Sequence, residues 1–255
     1  GRTVSIPVSP QHIATMDSFS GNVCVLIGAG SQLMGTPGGV LSNELLKQIY
    51  PDLENVQQLS GNGVNVETLL SAGGDVAIVK SSLYAQSDEM AKLDTLGIPY
   101  VVVDYDTVEQ QISAIEMIGE VCGGEGQVTA SRIASYYQST VADVEARAAG
   151  VPAEERVKVY HAINGPLLTD GSDSIGVDWI TRTGAIDVSA TEDSNGGAGD
   201  YTATLEQVYA WKPDVIVCSS AADRVSILAD IQWQGIDAVS RGDVLQLPVS
   251  TSRLG

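Results

Sequence analysis

At 255 residues, 44% of them hydrophobic, the chain has enough material for one large globular domain or two small ones. Its 32 acidic residues outweigh 13 basic ones, for a formal net charge of −19. That balance argues against nucleic acid and anionic membrane surfaces, whose recognition needs basic patches, and no apolar run reaches the ~20 residues that span a bilayer.

In chain order, His12 to Met16 reads as a first strand and Asn22 to Ile27 as a short apolar helix closed by Gly28-Ala29-Gly30. Gln32 to Gly35 reads as a small strand, Thr36 to Gly39 as a loop, and Val40 to Tyr50 as a helix that stops before Pro51. Residues 59–63 are turn-rich. A helix and the strand Val76 to Val79 follow, then a helix over Ser87 to Leu96 and an apolar strand over Tyr100 to Val103. Thr107 to Val121 is amphipathic and ends at Gly123-Gly124. The longest periodic stretch covers roughly 127–148, where Ile133, Tyr137, Val141, Val144 and Ala148 form one apolar stripe. Beyond it come a strand at Val157 to Ile163, a helix at Ile175 to Thr183, a helix at Val225 to Gln234 and a strand at Val244 to Leu247. Short strands alternating with helices predict an α/β fold with mostly parallel sheets.

The chain nearly repeats itself. Residues 65–79, NVETLLSAGGDVAIV, align with residues 204–218, TLEQVYAWKPDVIVC, so that Glu67 meets Glu206 and Asp75 meets Asp214. One unit recurring in each half implies two similar lobes. The expected organisation is two Rossmann-like α/β lobes joined by one long connecting helix, with an N-terminal lobe at 1–124, the helix at 125–150 and a C-terminal lobe at 151–255.

Signatures of chemistry are sparse. Ile27-Gly28-Ala29-Gly30 has Leu33 where a dinucleotide fingerprint needs its third glycine, and no GxxxxGK[ST] phosphate loop or GxSxG elbow is present. His12 and His161 are the only histidines, which excludes a multi-histidine metal site. No catalytic residue, metal ligand or resident cofactor is therefore assigned. Cys24, Cys122 and Cys218 lack metal-ligand spacing and read as small buried residues, with a Cys24–Cys122 disulfide as the alternative.

Ligands of open α/β sheets bind beyond the carboxyl ends of the strands. That rule selects Met16, Asp17, Thr36, Pro37, Lys80, Tyr84 and Tyr105 from the first half, and Asn164, His161, Asn195 and Ser219 from the second. Tyr84 offers a phenol for stacking or iron, against the reading of a plain loop tyrosine. Lys80 offers a cation for an oxyanion or carboxylate. His161, beside Tyr160 in a strand, reads as a hydrogen-bonded structural histidine, with cleft contact as its second role. Glu67 and Glu206 sit in equivalent first helical turns, where a carboxylate complements the helix dipole or serves as a matched docking charge.

Val64 to Ile78, the GIPYVVVD run at 97–104, the EQVYAWKPDVIV run at 206–217 and the closing Trp233, Ala238-Val239 and Gly242-Asp243-Val244 together resemble the iron-complex/cobalamin class of ABC-transporter solute-binding proteins. Gly1-Arg2-Thr3-Val4 resembles the mature-domain opening of that class. The resemblance covers essentially the whole chain in order. It implies two lobes bridged by a long helix and a non-enzymatic receptor that captures a ferric siderophore, haem or cobalamin in the interlobe cleft. Some members of the class take molybdate-type oxyanions instead. It also implies a monomer that delivers its solute to an ABC permease, with Glu67 and Glu206 as the docking acids. The place implied is periplasmic or extracellular, a signal peptide or lipid anchor having been removed. Two departures stand out: Gly73-Gly74 replaces the Lys-Pro that Lys212-Pro213 keeps, and the class normally continues past the position of Gly255 through a further helix of the C-terminal lobe.

Overall fold

Residues 3–60, 63–71, 73–190 and 199–248 are described by a computed structural model. They divide into two compact units, residues 3–105 with 109–137, and residues 106–108 with 138–248.

The first unit runs β1 (Ile13–Thr15), α1 (Ser18–Leu26), β2 (Leu33–Pro37), α2 (Gly38–Leu41), α3 (Glu44–Ile49), β3 (Gln57–Leu59), α4 (Val66–Ser71), β4 (Val76–Lys80), α5 (Ser81–Tyr84), α6 (Ser87–Leu96) and β5 (Tyr100–Val103), followed by α7 (Val108–Cys122) and α8 (Gly124–Ala148). Its strands form one parallel sheet in the order β3-β2-β1-β4-β5. The central strands are apolar at nearly every position because helices cover both faces: Ile13, Ala14, Val76, Ala77, Ile78 and Val79 are all fully buried. Strand order reverses between β1 and β4, and that reversal is the switch point of the sheet.

In the second unit β6 (Lys158–Ala162), β7 (Leu168–Thr169), α9 (Ile175–Arg182), β8 (Ile186–Asp187), β9 (Tyr201–Thr202), α10 (Leu205–Trp211), β10 (Val215–Cys218), α11 (Ala221–Ala229), α12 (Asp237–Arg241) and β11 (Val244–Gln246) follow one another. The parallel sheet has the order β11-β10-β6-β8, with its switch point between β6 and β10; β7 and β9 pair separately and antiparallel. Its core gathers Tyr160, Val208, Ile216, Ile227, Trp233 and Val244. The division between the units falls inside α8, after Tyr137. The predicted stripe of that helix is half-buried throughout, with Ala130 and Ala134 fully covered beside it.

The fold class expected from the sequence is the observed one, and most elements lie where periodicity puts them. Five local readings are corrected. The helix read at Asn22 to Ile27 begins four residues earlier, at Ser18, because the Asp17 side chain accepts from the Ser20 amide at 2.9 Å and starts it there. The single helix predicted for Val40 to Tyr50 is two, because the Asn43 side chain accepts from the Leu45 and Leu46 amides at 3.0 and 3.4 Å and starts a new helix there. Thr36 and Pro37 end a strand and Gly38-Gly39 open a helix, in place of a loop. Leu59, expected in a turn-rich approach, closes the edge strand β3. The helix placed at Val225 to Gln234 begins four residues earlier, where Ser220 caps the Asp223 amide at 3.0 Å, and it stops before Asp230.

The repeat acquires a physical cause. Asp75 Oδ2 accepts from the Gln11 and His12 amides at 2.7 and 2.9 Å, while its own amide donates to the His12 carbonyl. Asp214 does the same at the entry of β6, accepting from the Lys158 amide at 2.9 Å and donating to the Lys158 carbonyl. Each repeated aspartate thus fastens the start of its switch strand to the central strand beside it.

The mismatch within the repeat is also explained. Gly73 and Lys212 occupy the same aligned position, and both are left-handed, with φ of +64° and +50°. A helix that ends by a left-handed residue suits glycine and strains a side chain that carries Cβ. Lys212 is the sole non-glycine residue with positive φ among the described residues. Lys212→Gly is accordingly expected to stabilise the protein by about 0.5–1 kcal/mol, and Gly73→Lys to cost a similar amount. Urea midpoints of the two variants, moving in opposite directions, check this.

Candidate functional site

At the switch point of the first sheet, Asp17 follows β1 and Lys80 ends β4. Asp17 caps α1, its Oδ1 accepting from the Ser20 amide at 2.9 Å and its Oδ2 from the Ser20 hydroxyl at 2.7 Å. Burial raises the Asp17 pKa above the ordinary carboxylate value, against the Ser20 bonds and the nearby Lys80 cation, which pull it down. Lys80 Nζ lies over the Tyr105 ring, 4.8 Å from its centroid, and Tyr105 packs on Phe19 at 4.5 Å. Burial, with the carboxylates of Asp17 and Asp104 nearby, pushes the Tyr105 phenol well above its ordinary value, so it stays a neutral donor. Thr36 is fully buried and hydrogen-bonds Thr15 at 2.7 Å.

The other residues picked from the first half fall elsewhere. Met16 is buried in the core of this unit, packed among such residues as Ala14, Met34 and Leu83. Pro37 is buried at the end of β2. Tyr84 is 45% exposed at the end of α5 and lines an apolar groove with Tyr100, Val102, Met117 and the early residues Val4 and Ile6.

At the switch point of the second sheet the geometry is tighter. His161 on β6 and Ser219 just beyond β10 face each other, Nε2 to Oγ, at 3.0 Å. The Nδ1 of His161 stands 2.7 Å from Asp170 Oδ2, with both side chains buried. A carboxylate only accepts, so this bond places a proton on Nδ1 and leaves Nε2 turned toward the serine. Asp170 is held in turn by the Ser174 hydroxyl at 2.6 Å, and the His161 ring meets Trp179 edge-on at 5.3 Å. Asp187 adds a second buried carboxylate. Its Oδ1 accepts from the Ser189 amide and hydroxyl at 2.8 and 2.6 Å, whereas Oδ2 has no hydrogen-bond partner among the described residues. Burial, opposed by the Ser189 bonds, pushes the Asp187 pKa up to about 6.

That shift carries a sign. Between the ordinary aspartate value and about 6 the folded state holds a proton that the unfolded chain has lost. Stability therefore falls as pH rises through this window, by about 3 kcal/mol. Asp187→Asn is expected to flatten the slope, as read by thermal unfolding at pH 4.5 and 7.

Asn164 is exposed beyond the end of β6. Asn195 lies outside the described residues. Glu67 and Glu206 are both exposed in the first turns of α4 and α10. Asp170, Ser174, Trp179 and Asp187 were not singled out from the sequence. Trp179 belongs to α9, the helix read at Ile175 to Thr183, and Ser174 precedes it; Asp170 and Asp187 lie at the two-residue strands β7 and β8, which have no periodic signal. The repeat offers one usable clue: its alignment sets Lys80, the last residue of β4, opposite Ser219, the first residue past β10.

Each parallel sheet gathers polar side chains at its switch point, Asp17 and Lys80 in the first and His161, Asp170 and Ser219 in the second. A profile described as periplasmic binding protein matches residues 13–251. The chain belongs to the periplasmic binding protein family. A search of curated protein sequences finds no match. Among solved structures the chain is similar to the molybdate periplasmic binding protein MolA of Haemophilus influenzae, bound to molybdate, with TM-score 0.86, 24% identity, and 97% of this chain and 81% of that one covered. A periplasmic solute-binding protein of Veillonella parvula superposes with TM-score 0.79 at 25% identity, over 97% and 76% of the two chains. The vitamin B12 binding protein BtuF of Vibrio cholerae gives TM-score 0.74 at 17% identity, over 97% and 93%. Membership agrees with the iron-complex/cobalamin resemblance read from the sequence, and it is membership of a solute-binding family. No helix among the described residues is long and apolar enough to cross a membrane.

Proposed function

We propose that this periplasmic binding protein is the solute receptor of an ABC importer, and that its solute is a small oxyanion of the molybdate class. The observation that carries this reading is the Asp170–His161–Ser219 chain: a buried carboxylate fixes an imidazole, which fixes a hydroxyl at the switch point of the second sheet. Such an array presents an oriented, short-reach polar group, which suits a compact anion. The reading departs from the chelated metal first expected from the resemblance. A haem or corrin ring needs a broad apolar platform, whereas the groups at this switch point are small and polar.

The metal complex stands as the second reading, on one observation: Tyr84 is half-exposed in an apolar groove with Tyr100 and Met117, where a phenol is free to meet a ligand. Thermal shift with molybdate and tungstate, against ferric siderophore, haem and cobalamin, separates the two. Stabilisation by the oxyanions with a colourless purified protein is expected; a visible absorption band, or stabilisation by a chelate alone, would establish the second reading instead.

A further inference from the structure

The chain of hydrogen bonds at His161 has two protonation states with opposite faces. With Nδ1–H committed to Asp170, a neutral imidazole accepts at Nε2 from the Ser219 hydroxyl. Ser219 Oγ then turns only lone pairs outward and repels an oxyanion. A protonated imidazole reverses the bond: Nε2–H donates to Ser219 Oγ, and the serine proton is released to point at a ligand oxygen. A positive charge arrives one bond behind it. Ser219 is partly exposed and His161 is buried, so the hydroxyl is the group that a solute meets.

Resting on the oxyanion reading above, we propose that Ser219 is a proton-switched ligand hydroxyl, and that each oxyanion bound draws one proton from solvent onto Nε2 of His161. The balance is simple: one solvent proton is taken up on binding, Nε2 keeps it, and it returns to solvent on release. The groups that face the ring are these. Asp170 from the segment after β7 touches the ring directly. Asp187 at the end of β8 sees the imidazole electrostatically, and its buried Oδ2 lacks a partner among the described residues. The neutral Tyr201 of β9 donates to the Ser189 carbonyl at 2.8 Å. Asp223 of α11, the helix that follows Ser219, is occupied by the Ser220 hydroxyl and its own cap. Trp179 of α9 covers the ring edge. Arg224, the cation of α11, donates to the Val244 carbonyl at 2.7 Å. The residue that sets the switch is thus Asp170, a positioning residue that acts through His161.

Isothermal titration of the intact protein with molybdate and with tungstate, in buffers of differing ionisation enthalpy near pH 8, counts the protons. The proposal expects uptake of about one proton per oxyanion, and a Kd that weakens up to about tenfold per pH unit above neutrality. His161→Gln should bind more weakly with no uptake and a flat profile. Asp170→Asn, which keeps an acceptor for Nδ1–H without the charge, should move the profile to lower pH. Wild-type binding with no proton uptake and a pH-independent Kd overturns the switch while leaving the oxyanion reading intact. No binding of either anion at any pH overturns both. The wild-type count decides the matter even where a variant fails to fold.

Discussion

Gly176→Ala is expected to destabilise the protein by about 3 kcal/mol and to weaken solute binding at least tenfold, although it adds a single methyl group to a helix. A Cβ at this position would run into Asp170 Oδ1 and lie 2.6 Å from Oδ2. The carboxylate cannot swing away without cost, because its two oxygens are held by the Ser174 hydroxyl and the His161 ring. Overpacking of a tight site costs about 1–3 kcal/mol, and a buried polar group left unpaired costs about as much again. Against this, alanine gains up to about 1 kcal/mol of helix propensity in α9. The clash is the larger effect. A double-mutant cycle identifies the cause: in an Asp170→Ala background the obstructing oxygens are gone, so Gly176→Ala should become neutral or mildly stabilising. Denaturation midpoints of the four proteins supply the measurement. Equal losses in both backgrounds would mean that Gly176 is needed for its backbone, and that Asp170 is not pinned as described.

The same residues show where a sequence stops being legible. Strands β4 and β10 were readable because central strands of a parallel sheet are covered on both faces, which leaves an unbroken apolar run. The repeat was readable because its aspartates do identical work, each fastening a switch strand by backbone amides. His161 and Ser219 came from a general rule about strand ends, which gave their place and nothing of their pairing. Asp170 and Asp187 stayed hidden for a physical reason. Asp170 follows β7 and Asp187 ends β8, strands of two residues that are too short for any period; the first is folded back onto β6 by the turn after Ala162 and the second is paired directly with β6. The break at Asn43 was missed because one side-chain oxygen outweighed an otherwise continuous helical spacing. Local hydrogen bonds to backbone amides are worth about 1 kcal/mol and leave little trace in hydrophobic periodicity.

Reversing both repeated glutamates, Glu67→Lys with Glu206→Lys, is expected to reduce ABC-permease-dependent uptake at least tenfold while leaving solute affinity and folding nearly unchanged. Both residues are exposed, and both stand in the first turn of the helix that leads into a switch strand. As helix-dipole partners they contribute about 0.3–1 kcal/mol each, which is too little to unfold the protein when lost. Neither lies at the strand ends that hold the candidate ligand groups, since each precedes its strand by a helix and a turn. A large effect on uptake would therefore have to come from an encounter with another molecule, and a basic patch on a permease is the complementary surface. Net charge is the competing explanation. Each substitution adds two charges, moving the formal total from −19 to about −15, and a weaker overall field slows any steered association. The control keeps that total and changes the place: Glu116→Lys with Glu154→Lys alters two exposed acids away from α4 and α10. Uptake measured in cells or proteoliposomes should survive the control pair and fail with the docking pair. Equal losses from the two pairs would assign the effect to the field, and normal uptake with the docking pair would remove Glu67 and Glu206 from the interface.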